Sequence, residues 1–226
     1  MILMRGAVHD QVPSRLAPWG AGASCGSLAP RWQLLLGRLT RLLEERDAET
    51  DRHTTRVTHL AQQFARRLNV PPERCRALGW GARLHDIGKL TVPMELLQKA
   101  GPLHAWEREV LCGHVWAGQC IAGALDGLPA AALTVIAEHH ERWDGQGYPR
   151  GLRGEQISLE ARLFSLCDVF DALTHQRSYK PAWGPTAALE EMRSQVGRQF
   201  DPGLFPVFEQ LIHELYPGAW TTSQPD

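Results

Sequence analysis

The sequence predicts an all-α helical bundle, on three observations. From Pro30 onward, apolar residues recur at three- and four-residue steps in one segment after another. No stretch alternates apolar with polar residues well enough to make a half-buried strand. Helix breakers cluster between the periodic segments, at Pro71-Pro72 and from Gly145 to Gly154.

Taken in order, residues 1–29 are rich in Gly, Ala, Pro and Ser, carry no sustained period and read as a flexible N-terminal tail. Trp32, Leu35, Leu36, Leu39, Leu42 and Leu43 then form one face of a helix from Pro30 to about Arg46. Val57, Leu60, Ala61, Phe64 and Leu68 do the same for a helix from Glu49 to Leu68. Asn69 and Pro71-Pro72 end it and start a third, from Pro72 to Asp86, because proline is tolerated in a first turn. Single helices follow over Ala105 to Leu125 and Pro129 to Glu141. The glycine-rich stretch from Arg142 to Ile157 is a structured loop, and Ser158 caps a helix running to about Thr174. Helices near Pro185 to Val196 and Pro202 to Leu215 complete one helical domain, 30–216, leaving 217–226 as a C-terminal tail.

Composition narrows the function. The chain has 226 residues, 24 Lys+Arg against 25 Asp+Glu, and a formal charge of -1. That balance excludes a general binder of nucleic-acid polymers, which carries a basic excess. No apolar run approaches the length of a membrane span, and Met1 to Arg15 lacks the pattern of a signal peptide. Five cysteines without a C-x-x-C pair fit reduced thiols, so a cytoplasmic location is expected. Ten histidines are the unusual feature.

Their positions point to a metal site. His85-Asp86 closes the third helix, and imidazole with carboxylate suits Zn, Fe or Mn. Glu49 and His53, four residues apart, share a helix face. His114 sits among Val110, Leu111, Val115 and Trp116, and His139-His140 ends a segment containing Leu133, Val135 and Ile136. Asp168 lies among Phe164, Leu166, Val169 and Phe170. Unpaired polar groups are costly to bury, and a metal cluster at the centre of a bundle partners them all.

The order of these residues and five motifs resemble the HD-GYP subgroup of the HD phosphohydrolase superfamily. The motifs are E-T-D-R-H (49–53), H-D-I-G-K (85–89), H-H-E-R-W-D-G-Q-G-Y-P (139–149), D-V-F-D-A-L-T (168–174) and R-S-Y-K (177–180). The resemblance implies an HD-superfamily helical bundle around a central metal site. It also implies a metal-dependent phosphodiesterase that hydrolyses cyclic di-GMP to pGpG or GMP with metal-activated water. By the same resemblance, His53, His85, Asp86, His114, His139, His140 and Asp168 look like ligands of divalent ions. Glu49 aligns with a carboxylate of members that look trinuclear, so two or three ions are expected, Fe or Mn ahead of Zn. Lys89, Tyr148, Arg177 and Lys180 look like the residues around the substrate phosphates and guanine, and His85, Asp86 and Lys89 like the catalytic group. Ser178 and Val115 stand where the family commonly has proline.

Elementary chemistry supports these roles. Bound divalent ions lower the pKa of water and neutralise charge on a phosphodiester. Lys89 and Lys180 are point charges, Arg177 is a bidentate fork, and Tyr148 could stack on a base. Near-neutral net charge excludes a broad basic surface but not such a pocket. Asp171 reads as a partner to a histidine and Asp144 as a turn former. His9, His59, His104, His175 and His213 fit no ligand pattern.

The expected substrate is a cyclic dinucleotide, with a diguanylate cyclase or another signalling protein as a protein partner and a homodimer as the assembly to test. Two alternatives compete: an HD-type hydrolase of another nucleotide or phosphate ester, and a non-catalytic dinucleotide-binding or interaction module. Retention of all seven implied ligands favours catalysis.

Overall fold

The computed structural model describes residues 30–46, 50–99, 101–125, 127–176 and 181–220. The N-terminal tail, Glu49, Arg177, Lys180 and residues 221–226 lie outside the described residues. Ten α-helices appear among those described: α1 (Pro30–Arg46), α2 (Thr50–Arg67), α3 (Pro72–Leu84), α4 (Met94–Leu97), α5 (Ala105–Cys112), α6 (His114–Gly123), α7 (Ala130–Glu138), α8 (Leu159–Thr174), α9 (Pro185–Ser194) and α10 (Phe205–Leu215). Short 3-10 turns occupy Ile87–Thr91, Gly154–Gln156 and Pro217–Trp220. Isolated bridges, Asp144 with Arg153 and Val196 with Phe200, are the β pairing present there. No helix among the described residues is long and apolar enough to cross a membrane.

The stop and start signals act as the sequence suggests. Asn69 takes a left-handed φ of 54° after α2, and its amide and that of Val70 close the helix onto the carbonyls of Arg66 and Ala65. Pro72 opens α3, and the Ser158 hydroxyl accepts the amide of Ala161 at the start of α8.

One expectation is corrected. The helix expected over Ala105 to Leu125 is two helices, α5 and α6, broken at Gly113. Gly113 keeps helical dihedrals and its amide still reaches the Glu109 carbonyl, so the interruption is a single residue before His114. Apolar periodicity reads through so short an interruption, because the dihedrals and hydrogen bonds on either side remain helical.

Two hydrophobic clusters organise the packing. The larger joins α2, α3, α8, α9 and α10 around Phe64, Phe164, Phe170, Phe200 and Phe208. The smaller joins Leu84, Ile87, Ala122, Leu125, Leu128, Ala132 and Ile136. α3 and α7 contribute to both, through Leu78 and Ala82 or Leu84 on one and Val135 or Ala132 and Ile136 on the other. Their C-terminal ends therefore lie at the seam between clusters, and those ends carry His85-Asp86 and His139-His140. α2 packs against α3 and α8, which brings His53 and Asp168 to the same seam.

Candidate metal centre

On α2, His53 and Arg56 lie one turn apart, as do Asp168 and Asp171 on α8, so each pair shares a face. Packing of the two helices sets the His53 ring between the aspartates. Its Nε2 is 3.1 Å from Asp168 Oδ1 and its Nδ1 is 2.7 Å from Asp171 Oδ2.

The other rings are fixed by the backbone. His85 Nδ1 is 2.8 Å from the Ala82 carbonyl, His114 Nδ1 is 2.6 Å from that of Leu111, and His139 Nδ1 is 3.0 Å from that of Ile136. A carbonyl only accepts, so in each ring Nδ1 holds the proton and Nε2 keeps its lone pair for the centre of the bundle. Those carbonyls belong to the last turns of α3, α5 and α7, where helix carbonyls have no partner within the helix.

Two groups of donors result. Asp86, His114, His139 and His140 offer ligand atoms all within 4.8 Å of one another, and so do His53, His85 and Asp168. Asp86 faces both groups. Its Oδ1 is 3.3 Å from His114 Nε2, while its Oδ2 is 3.2 Å from His85 Nε2. Donors sharing one ion at about 2.1 Å stand roughly 3.0 to 3.4 Å apart in tetrahedral or octahedral geometry. The contacts His53–Asp168, His85–Asp86 and His114–Asp86 fall inside that interval, so the donor set fits divalent cations.

Electrostatics hold four of the donors, His139, His140, Asp86 and Asp168, in their ligating state. Burial pushes His139 well below the usual histidine value, and the neighbouring His140 and His85 add to the effect. Burial and His114 push His140 down to about 3, so both rings are neutral near neutral pH. Burial opposes ionisation of Asp86, yet Lys89 and His85 hold its carboxyl well below the usual range. Asp168 is likewise held low, against burial, by His53. Neutral imidazoles beside ionised carboxylates are what a divalent ion requires of N and O ligands.

His53 is the exception. Burial works against its charge, but the hydrogen bonds to Asp168 and Asp171 raise it to about 9 from 6.5. A pKa raised in the folded state contributes stability that is complete below pH 6.5 and is lost as pH rises through about 9. The chelated, metal-free protein is therefore expected to melt several degrees lower at pH 9 than at pH 6.5. A flat melting temperature across that window would show that His53 is not charged between the two aspartates.

Two close backbone approaches set the geometry. Gly88 follows Asp86 into the 3-10 turn, and a Cβ there would run into the His114 carbonyl and lie 2.5 Å from the Gly118 amide nitrogen. Absence of that Cβ lets the turn abut α6. At Gly147 a Cβ would strike the Arg142 amide and lie 2.6 Å from the His140 carbonyl oxygen. The Tyr148 amide donates to that same carbonyl at 3.2 Å.

The loop beyond His140 is pinned by two buried carboxylates. Glu141 accepts the amides of Arg150 and Leu152 at 2.8 and 2.9 Å, and Glu138 accepts the Ser158 amide at 2.8 Å and pairs with Arg150. Tyr148 thereby stacks on His140, with ring centroids 4.7 Å apart and planes at 25°. Burial and the adjacent Cys112 push its hydroxyl above the usual tyrosine value.

The structure thus brings together His53, His85, Asp86, His114, His139, His140 and Asp168. Lys89 joins them, with Nζ 2.6 Å from Asp86 Oδ2. Tyr148 is adjacent, but one ring face is already covered by His140. Glu49, Arg177 and Lys180 lie outside the described residues. Asp171 contacts His53, as read from the sequence, and Asp144 accepts the Gln146 amide in its turn at 3.0 Å. His59 is exposed beside Gln63, away from the cluster. Missed were Glu138 and Glu141, which flank the histidine pair, and Arg56, three residues after His53. Their signal was an acidic or basic residue directly beside a ligand motif.

Five histidines and two aspartates, in two donor groups with Asp86 in contact with both, within a helical bundle, define the class as a histidine–aspartate metal-centre protein. The chain belongs to the HD domain family, whose profile matches residues 38–204. It is 40% identical over 181 residues to the cyclic di-GMP phosphodiesterase response regulator RpfG of Xanthomonas campestris, covering 80% of this chain and 48% of that protein. It is 35% identical over 193 residues to the 3′3′-cGAMP-specific phosphodiesterase 2 of Vibrio cholerae, covering 85% of this chain and 37% of that protein. The chain thus spans less than half the length of these curated relatives. Its fold is similar to that of the Vibrio cholerae cyclic GMP-AMP phosphodiesterase V-cGAP3, with a TM-score of 0.62 at 22% identity over 83% of this chain and 50% of that one. The family resemblance read from the motifs agrees with these relatives.

Proposed function

We propose that the protein is a metal-dependent phosphodiesterase that hydrolyses cyclic di-GMP to pGpG, and to GMP where the second bond is also cut. The observation that carries this reading is Asp86, which turns one oxygen toward each donor group and so suits a carboxylate between two ions. His53, His85 and Asp168 would hold one ion, and His114, His139 and His140 another, with Asp86 in reach of both groups. A third ion would require Glu49. Imidazole and carboxylate donors suit iron, manganese and zinc alike, and the order of preference, iron or manganese first, follows the family resemblance. When bound, the ions supply hydroxide near neutral pH and offset charge on the phosphodiester.

The protein's own groups do the rest. Lys89 already pairs with Asp86, so its ammonium is placed to meet a phosphate oxygen at the edge of the cluster. The exposed face of Tyr148 offers a surface for a base. Arg177 and Lys180 carry the charge that would neutralise the second phosphate.

The relatives also favour a second reading. Because one relative is named as specific for 3′3′-cGAMP, the mixed dinucleotide is the alternative substrate. Purified protein loaded with Mn or Fe should convert cyclic di-GMP to pGpG faster than it converts 3′3′-cGAMP, cyclic di-AMP or mononucleotide esters, resolved by chromatography. The reverse preference assigns the mixed substrate. Binding of cyclic di-GMP without turnover, in protein carrying its full metal complement, would replace the enzyme with a binding module.

A further inference from the structure

Beneath His53 lies a polar chain that the proposed hydrolysis does not use. Asp171 is 4% exposed, yet its two oxygens face four nitrogens from three side chains. Oδ2 faces His53 Nδ1 at 2.7 Å and accepts from an Arg56 terminal nitrogen at 2.8 Å. Oδ1 accepts from Arg56 Nε at 2.7 Å and faces His175 Nδ1 at 3.1 Å. The Arg56 fork is therefore bidentate, and its side chain, 33% exposed, connects the buried carboxylate to the surface.

Among the histidines of the centre, His53 differs in what orients it. His85, His114 and His139 lean on neutral carbonyls, whereas His53 leans on a carboxylate that is itself clamped by a guanidinium. A carboxylate accepting from Nδ1 makes the opposite nitrogen a stronger donor than a carbonyl does and fixes the ring plane. The His53 ring also meets Asp168 through Nε2, so both ring nitrogens are fixed by residues one turn apart on α8.

We propose that Asp171 and Arg56 are positioning residues that set the affinity of one donor group alone, that of His53, His85 and Asp168. The inference rests on the metal-centre reading above. It predicts asymmetry, because the other group has no comparable carboxylate behind its rings in the contacts described: His114 and His139 are held by the backbone, and His140 by stacking on Tyr148.

Asp171→Asn keeps the size of the side chain and one acceptor, but removes the charge and half of the fork's target. Arg56→Lys keeps the charge but not the fork. Mn(II) titration followed by electron paramagnetic resonance and equilibrium dialysis separates the two donor groups. Wild-type protein should bind two ions and give the broad signal of a coupled pair. Asp171→Asn should weaken one ion by roughly 10- to 100-fold, leaving the sharp signal of an isolated ion at intermediate Mn. Arg56→Lys should weaken the same ion less, and its partly exposed position makes it the usable variant if Asp171→Asn does not fold. His114→Ala serves as the reciprocal control, weakening the other ion.

Equal loss of both ions in Asp171→Asn, or unchanged affinity for both, overturns the positioning role. Failure of wild-type protein to bind a coupled pair instead overturns the metal-centre reading and is seen before any variant is made.

Discussion

Replacing His85 and Asp86 together by alanine is expected to abolish the proposed hydrolysis of cyclic di-GMP. The pair emerges where α3 ends at Leu84, and each donor group loses a member, one His85 and the other Asp86. Lys89 loses its carboxylate partner at the same time. Turnover should fall at least about 10³-fold, a loss of about 4 kcal/mol of transition-state stabilisation. Metal content measured on the same sample should fall with it. The large hydrophobic cluster around Phe64, Phe164 and Phe208 does not include the pair, so helical circular dichroism should persist. Near-wild-type turnover by this variant, at any saturating metal, would remove the cluster from the reaction.

The second large effect lies in the backbone. Gly88→Ala places a methyl group against the His114 carbonyl and the Gly118 amide, two backbone groups that cannot rotate aside. The 3-10 turn must then part from α6, which separates Asp86 from His114, now 3.3 Å apart. Overpacking of this kind costs about 3 kcal/mol. For a chain of this size that corresponds to a fall in melting temperature of roughly 6 to 12 °C. Metal retention should fall as well, because one group loses its carboxylate. A variant that melts and binds metal like the wild type would mean that the turn and α6 do not meet as described.

These two predictions mark what sequence could and could not show. His85 and Asp86 were legible because their chemistry is a property of residue type and order, and a histidine inside an apolar helix needs a partner wherever the chain folds. The helices were legible for a similar reason, since α2, α3 and α8 each bury a periodic face. Gly88 was not, because its importance depends on a close approach to α6, some 26 residues further on, that apolar periodicity does not register. Glu138 and Glu141 escaped notice too, because what they hold are backbone amides up to 20 residues away. Asp171 was placed beside a histidine from its spacing to Asp168, but its fork with Arg56 joins residues 115 apart in sequence.

The carbonyl anchors of His85, His114 and His139 have a consequence for the electric field at the site. Each is drawn from the last turn of a helix, so the C-terminal ends of α3, α5 and α7 converge on one point. A helix dipole leaves about half a negative charge at such an end. With Asp86 and Asp168 ionised, these converging ends favour cations, while Lys89 and the charged His53 offset part of that field in the metal-free protein. Bound cations would add to the attraction that the Lys89 ammonium offers a phosphodiester, so metal loading and substrate affinity are expected to rise together.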